Sequence, residues 1–292
     1  MFPGIALGGG GVRGFLLVGA LQELAKHQPL EFPQGIFGVS IGAILATALA
    51  YRIPPTDIQT LFQEVSLDDI APSLRLMQVM EAPTKKGLYS MDAFEVVVRR
   101  AFQSRGVDLT EATISQAPQP LFIVASNMTR STPTIFHGEV RILEALKASC
   151  ALPFYFHPQV IYDSVYVDGG LFVPSIAEIL PGHLKDHALI LNLARPRRGI
   201  EPRDLAELTP WNYMERLYQS SVEYRLKTTI SRNSAWLRNE TVNTMDKLTR
   251  EEQESLVKSG AAQCSSFLAQ RLDQPRADSL GLHRVIIDND LV

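Results

Sequence analysis

The chain has 292 residues, of which 46% are hydrophobic, so it is long enough to bury a sizeable core. Its formal net charge is −3, from 28 basic and 31 acidic residues. This near balance argues against a nucleic-acid partner, because phosphate binding favours a basic face.

The first fifty residues alternate between strand and helix patterns. A short apolar run at residues 4–8 predicts a buried strand, and apolar residues at helical spacing predict a helix at 15–26. A second strand is predicted at 35–39, followed by an almost wholly apolar helix at 41–51. This βαβα order predicts a parallel sheet that is covered by helices.

The middle of the chain is less regular. Thr56-x-x-Gln59 predicts a helix that begins with a capping box, whereas residues 67–90 are typical of a loop that holds several large apolar residues. The remaining patterns predict helices at 91–104 and 139–150, strands at 121–125, 133–136 and 188–193, and a hairpin of 159–162 with 165–168 that turns at Asp163 and Ser164.

The composition changes after Arg195. A polar linker leads to Leu205, and from there to Leu272 the pattern predicts two or three helices, one of which begins with a capping box at Thr249-x-x-Glu252. Residues 283–288 fit a last strand. The sequence thus divides into residues 1–200 and a helical C-terminal extension, 201–292, which we expect to pack on the same domain.

Two features of the sequence bear on location. Residues 1–7 lack a charged stretch followed by a long apolar run, so no signal peptide is expected. A run of about eighteen uncharged apolar residues is absent, so no transmembrane segment is expected either. The two cysteines, Cys150 and Cys264, form no Cys-x-x-Cys pair and are expected to be reduced thiols without a metal.

A G-x-S-x-G motif occurs at Gly38-Val39-Ser40-Ile41-Gly42, between the second strand and the apolar helix. A sharp strand-to-helix turn holds its serine in a strained, exposed conformation, and flanking glycines make room for the turn. The start of the helix offers unpaired N–H groups, including that of Ile41, to a developing negative charge. We therefore interpret Ser40 as a nucleophile; the alternative is a tight glycine turn with a capping serine.

A second motif, Gly8-Gly9-Gly10-Gly11-Val12-Arg13-Gly14, also lies between a strand and a helix. Its N–H groups could surround an anion, either a nucleotide phosphate or the oxyanion of a tetrahedral intermediate. A dinucleotide site would need an acid after the second strand, where Ser40 stands instead, and no Gly-Lys-Ser or Gly-Lys-Thr is present. The oxyanion interpretation is therefore favoured.

A nucleophilic serine needs a base. His283 fits the Ser–acid–His order of α/β-hydrolases, but those enzymes place several strands before the nucleophile and this chain places one. Asp168 ends a predicted strand and is followed by Gly169 and Gly170, which would leave its carboxylate facing open space. An ordinary Asp-Gly turn is the alternative.

These motifs, in this order, resemble the patatin-like phospholipases. Gly9 to Gly14 is similar to the family's oxyanion loop, Gly38 to Gly42 to its nucleophile elbow, and Asp168-Gly169-Gly170 to its Asp-Gly-Gly motif. Ala148 to Phe154 is similar to the Ser/Ala-Pro segment that precedes the aspartate. The family often carries an asparagine and then a proline after Asp-Gly-Gly; this chain has Pro174 without the asparagine.

The resemblance implies a three-layer α/β/α fold with a central, mostly parallel sheet in residues 1–200, and a lipid acyl hydrolase of the phospholipase A or lysophospholipase type. It implies a Ser40–Asp168 dyad, no metal and no cofactor. The corresponding oxyanion donors are Gly9, Gly10, Gly11 and Ile41, and Arg13 would orient the loop or attract a substrate phosphate. An acyltransferase with the same dyad and a silent lipid-binding protein remain alternatives.

The expected partner is a lipid or membrane surface, approached by a cytoplasmic protein that is peripheral at membranes. The apolar residues within 67–90 are expected to form either a short buried helix or a mobile lid that contacts the membrane. They are Leu74, Leu76, Met77, Val79 and Met80, and they are followed by Lys85 and Lys86.

Overall fold

The computed structural model describes residues 1–65, 67–72, 76–194, 200, 202–203, 205–226 and 233–272. The strands are β1 (Gly4–Leu7), β2 (Gly35–Val39), β3 (Gly87–Tyr89), β4 (Leu121–Asn127), β5 (Thr132–Phe136), β6 (Phe154–Phe156), β7 (Gln159–Ile161), β8 (Ser164–Asp168), β9 (Leu189–Leu193) and β10 (Ser234–Leu237). The helices are α1 (Gly14–Leu24), α2 (Ile41–Ala50), α3 (Pro55–Glu64), α4 (Leu67–Ile70), α5 (Leu76–Lys85), α6 (Asp92–Gln103), α7 (Ile142–Cys150), α8 (Gly182–Lys185), α9 (Pro210–Leu226) and α10 (Arg250–Leu272).

A central sheet of eight strands organises the molecule. Strands β10, β9, β1, β2 and β4 are neighbours in that order and run parallel. Strands β5 and β8 pair antiparallel with β4, and β7 forms a hairpin with β8. The predicted α/β class with a mostly parallel sheet is therefore confirmed.

Strands β2 and β8 share one edge of β4. Val124 pairs with Val39 of β2 and with Ile135 of β5, so β2 and β5 lie on opposite edges. Ala125, the next residue, pairs with Asp168 of β8 and again with β5. Strands β2 and β8 therefore run toward each other along the same edge, and their C-terminal ends meet at consecutive residues of β4.

Helices cover both faces of this sheet. The larger core packs α1, α2, α7 and neighbouring helices against one face, and nearly all of α1 and the whole of α2 are buried in it. The smaller core, on the other face, includes Val173, Ile176, Leu180 and Leu184 from the segment before β9. Burial on both faces explains why β1 and β2 are almost uniformly apolar.

The C-terminal part contributes one strand to the sheet and one long helix to the helical layer that contains α1. Strand β10 extends the sheet beside β9, although the sequence predicted only helices in this region. Helix α10 packs along α1, where a Cβ on Gly260 would lie 2.0 Å from Leu16 O and a Cβ on Gly19 would lie 1.9 Å from Val257 O. The predicted capping box of this helix is confirmed by reciprocal hydrogen bonds between Thr249 and Glu252.

Two other predictions need correction. The capping box at Thr56 does not form, because α3 begins earlier, with Pro55 in its first turn. A proline is well suited there, since the first turn needs no N–H donor. Residues 67–90 are not mainly loop: they contain α4, α5 and β3. The strand predicted at 283–288, together with His283, lies outside the described residues.

Candidate active site

Ser40 stands at a strained turn between β2 and α2. Its φ of 55° and ψ of −126° lie outside the ordinary regions for a residue with a side chain. The turn is too tight for side chains at the flanking positions: a Cβ on Gly42 would lie 2.2 Å from Leu7 O, and one on Gly38 would lie 2.5 Å from Ala43 Cα. Ser40 therefore has the predicted strained geometry, but it is half-buried and not fully exposed.

Asp168 ends β8 where that strand meets β2. It lies opposite Ala125, one residue further along β4 than the partner of Val39, and Val39 directly precedes Ser40. A Cβ on the next residue, Gly169, would lie 3.1 Å from a methyl group of Val39. Ser40 and Asp168 are 128 positions apart in sequence, but they lie next to each other at the same edge of β4.

The surroundings of Asp168 are tighter than the sequence predicted. The residue is only 4% exposed, rather than facing open space. One carboxylate oxygen, Oδ1, accepts a hydrogen bond of 2.8 Å from Gly170 N. This bond fixes the orientation of the carboxylate.

The C-terminal end of α7 connects the two residues. Ser149 is fully buried; its Oγ accepts the N–H of Ser40 at 2.8 Å and donates to Val124 O at 2.6 Å. Two residues later, Ala151 O accepts the N–H of Asp168 at 2.8 Å. The segment that resembles the family's Ser/Ala-Pro motif therefore holds both the elbow and the aspartate turn.

Ser126, which was not among the residues predicted from the sequence, supports the turn that follows Asp168. Its buried Oγ lies 2.9 Å from Asp168 O and 3.2 Å from Gly169 O, and it accepts the N–H of Phe172 at 3.1 Å. This hydroxyl secures a turn that lacks the family's usual asparagine. The available signal was a polar residue directly after the apolar run at 121–125 that predicted the strand.

The glycine loop lies against the elbow. A Cβ on Gly9 would lie 3.0 Å from Ser40 Cβ, so the backbone of the loop passes beside the serine. Gly11 has a φ of +58°, a conformation that L residues with side chains rarely adopt. Ile41 begins α2, and the first N–H groups of a helix have no partner within it. Gly9 and Ile41 therefore lie beside Ser40, and Gly10 and Gly11 follow Gly9 in the same loop. That these four residues supply the oxyanion donors stays a prediction.

Arg13 is buried rather than presented to solvent, with 1% of its surface exposed. Its Nε donates to Gly10 O at 3.2 Å and its Nη1 to Ala194 O at 2.7 Å. Its Nη2 donates to Thr244 Oγ1 at 3.3 Å. Of its two predicted roles, these contacts favour orienting the loop over attracting a substrate phosphate.

The cysteines are not reactive groups in this arrangement. Burial, and then the nearby Asp168 carboxylate, raise the pKa of the Cys150 thiol well above its usual range. Burial raises the pKa of Cys264 to about 12. Both thiols are free and stay protonated at neutral pH. Within the described part of the chain, no three His, Cys, Asp or Glu side chains are grouped so that they could hold a metal ion.

Replacing Ser149 with alanine tests the support of the elbow. The change leaves the Ser40 N–H and Val124 O without their buried partner, which costs about 1–3 kcal/mol of stability for each unsatisfied group. We expect a lower melting temperature and a lower kcat in an ester hydrolysis assay. The control is Ser164→Ala, another buried serine, whose hydroxyl bonds only to Asp163 among the contacts described. A kcat that falls equally in both variants would contradict a specific role for Ser149.

A strained serine at a strand-to-helix turn, on a parallel sheet covered by helices, is the arrangement of serine acyl hydrolases. Residues 5–180 match the model of the family described as Patatin-like phospholipase. This match covers more than half of the chain, and the chain belongs to that family.

Two curated relatives of this chain are a lipid hydrolase and a phospholipase by name. "Probable lipid hydrolase 463L" of Invertebrate iridescent virus 6 is 27% identical over 178 residues, which are 58% of this chain and 59% of the relative. "cGAMP-activated phospholipase" of Vibrio cholerae is 25% identical over 193 residues, covering 57% and 53% of the two chains. The match thus spans a little over half the length of each relative.

The fold is similar to that of a solved protein. VipD from Legionella pneumophila superposes with a TM-score of 0.58 over 92% of this chain and 67% of its own, at 17% sequence identity. The similarity extends past residue 180 and therefore includes part of the C-terminal region. At this level of identity it shows a shared fold.

Proposed function

We propose that this chain is a lipid acyl hydrolase that forms an acyl-enzyme on Ser40 and uses Asp168 as its base. The observation that carries the proposal is the meeting of β2 and β8 on one edge of β4, beside the glycine loop. It makes Ser40, at its strained turn, and the buried Asp168 neighbours at one edge of β4, and this supports their assignment as nucleophile and base. Membership of a phospholipase family supports the lipid ester as substrate.

In the first half of the reaction, Ser40 Oγ attacks the ester carbonyl and its proton passes to the Asp168 carboxylate. The carbonyl oxygen becomes an oxyanion, which the N–H groups of the glycine loop and of Ile41 stabilise; removal of one such donor usually costs about 3–4 kcal/mol of barrier. The C–O bond to the alcohol then breaks, and protonated Asp168 returns the proton to the leaving oxygen.

In the second half, water attacks the acyl group on Ser40 and Asp168 accepts a proton from the water. The tetrahedral intermediate collapses, the proton moves to Ser40 Oγ, and the fatty acid leaves. The Gly170 N–H that donates to Asp168 Oδ1 fixes the orientation of the carboxylate at the end of β8. This hydrogen bond orients the base, as the third residue of a catalytic triad orients its histidine.

The proposal is tested by mass spectrometry of lipid products. Vesicles of mixed phospholipids, lysophospholipids and neutral lipids are incubated with the protein and with the Ser40→Ala variant. Free fatty acid that appears only with the unaltered protein would support hydrolysis. With an added alcohol, a transferred ester in place of fatty acid would establish the acyltransferase alternative. No acyl cleavage on any lipid would refute the proposal.

Access to a lipid surface is the next requirement, since no described helix is long and apolar enough to cross a bilayer. Helix α5 presents an apolar face made of Leu76, Met77, Val79 and Met80, which are 50–76% exposed. Of the two alternatives for this segment, the buried helix is not observed, because only Ala82 of α5 is buried. Leu74 lies outside the described residues. Exposed Lys85 and Lys86 end this face. Apolar side chains beside two cations match an anionic membrane surface.

The α5 face is also connected to the site. Strand β3 follows α5 directly and pairs with β6, and β6 follows Ala151, whose carbonyl holds Asp168. We propose that the α5 face binds the membrane and places the mouth of the site at its surface.

Replacing Leu76 and Met80 with serine should weaken hydrolysis of anionic vesicles about tenfold or more, because burial of each large apolar side chain contributes about 1.5–3 kcal/mol. Hydrolysis of a short, soluble ester should be unchanged. The measurement compares both rates and sedimentation with vesicles, and Val96→Ser, an exposed apolar residue on α6, is the matched control. Equal losses on both substrates would show that the face has no membrane role.

A further inference from the structure

A loop of the C-terminal part lies against the glycine loop. This Thr244 loop, residues 239–248, connects β10 to α10. The N–H of Val12 donates to Thr244 O at 3.1 Å, and Arg13 Nη2 donates to Thr244 Oγ1 at 3.3 Å. A Cβ on Gly11 would lie 2.0 Å from Thr244 O, so the two backbones are in direct contact.

The Thr244 loop is itself well held. Asn239 Oδ1 accepts the N–H groups of Thr241 and Val242 at 3.0 and 2.8 Å, and Asp246 Oδ2 accepts the N–H of Asn243 at 2.7 Å. The capping box of α10 follows directly at Thr249. Helix α10, which follows the Thr244 loop, packs along α1, which follows the glycine loop. The Thr244 loop and the glycine loop are therefore fixed to the same core.

These contacts determine the direction of the oxyanion donors. In a trans peptide the C=O and the following N–H point in opposite directions. Arg13 holds Gly10 O, so the N–H of Gly11 points away from the guanidinium. Thr244 O accepts the N–H of Val12, and this hydrogen bond fixes the peptide unit between Gly11 and Val12. Arg13 in turn is oriented by Thr244 Oγ1 and Ala194 O.

We propose that Thr244 is a positioning residue for the oxyanion donors, and that residues beyond the region matched by the family model complete the active site. This inference rests on the proposed function. Thr244 fixes the peptide units of Gly10 and Gly11 from outside, through its carbonyl to Val12 and its hydroxyl to Arg13. The C-terminal part is accordingly a component of the catalytic unit and not a separate module.

The test compares Thr244→Val, which removes the hydroxyl at nearly constant volume, with Thr244→Ser, which keeps it. A displacement of about 1 Å in a catalytic group costs on the order of 100-fold, so a loosened Arg13 should lower kcat on a soluble ester on the order of tenfold, with KM little changed. Thr244→Ser should restore most of this loss. Thr241→Val is the matched control, because its hydroxyl bonds to Asn239 in the same loop.

Melting temperatures are measured for all variants, and Ser40→Ala is assayed in parallel. A Thr244→Val enzyme with unaltered kcat would overturn the inference, and so would equal losses of kcat and melting temperature in Thr244→Val, Thr244→Ser and Thr241→Val. If Ser40→Ala abolishes activity while Thr244→Val leaves it intact, only the inference fails. If Ser40→Ala keeps full activity, the proposed function fails.

Discussion

The Ser40→Ala, Asp168→Asn and doubly substituted proteins are expected to have the same low residual activity, reduced by a factor on the order of 10³ or more. The physical reason is that the two side chains act in one step: without the base the hydroxyl stays protonated, and without the hydroxyl the base has no nucleophile to activate. Groups that act as a unit show such non-additive losses. The proposed oxyanion donors are unchanged in these variants and would account for the residual rate.

Initial rates on a soluble ester measure these losses, and melting temperatures verify folding. The matched control is Asp163→Asn, since Asp163 lies on the β7–β8 hairpin but its side chain is 80% exposed. It should keep full activity. Near-normal turnover by Asp168→Asn, or losses in the single variants that multiply in the double variant, would refute the dyad.

A Gly11→Ala protein is expected to lose turnover on the order of 10²- to 10³-fold, the loss typical of a removed oxyanion donor. Two features cause this. Its φ of +58° is unfavourable for alanine, and the added Cβ would lie 2.0 Å from Thr244 O. The peptide must therefore rotate or the loops must separate, and either movement redirects the N–H groups beside Ser40.

Gly138→Ala is the control that distinguishes the effect of backbone strain on stability from the effect of Gly11→Ala on turnover. Gly138 has a φ of +66°, yet nothing lies within 4 Å of an added Cβ. It should lose some stability and keep its kcat, whereas Gly11→Ala should lose kcat. Binding of NAD or ATP to the unaltered protein is measured as well. An affinity that disappears in Gly11→Ala would support the phosphate-loop interpretation of the glycine motif.

Local chemistry made much of the fold predictable. The first two strands and helices were predicted within about two residues, because apolar runs separated by glycines specify buried strands and helices. The elbow was predictable because a sharp strand-to-helix turn needs a glycine such as Gly38, whose Cβ would lie 2.5 Å from Ala43 Cα. Gly42 is required by the neighbouring strand, since its Cβ would lie 2.2 Å from Leu7 O. Asp168-Gly169-Gly170 was predictable as a turn at the end of a strand.

The contacts between distant segments could not be predicted from these patterns. That β2 and β8 share an edge of β4 depends on the register of three strands. Ser126 and Thr244 belong to the site only because the sheet and α10 bring them there. Strand β10 has four residues, too few for periodicity to distinguish it within a helical region. Helix α5 was interpreted as loop, although Leu76, Met77, Val79 and Met80 have helical spacing.

The position of β9 and β10 in the sheet has a consequence for how the chain folds. The family match ends at residue 180, but β1 obtains one of its two neighbours from β9, at residues 189–193. A polypeptide that ended at the family boundary would leave β1, an entirely buried and apolar strand, as an open sheet edge. Such an edge is a template for intermolecular pairing and aggregation. The region matched by the family model is thus shorter than the folding unit, because the strand that protects β1 lies beyond it.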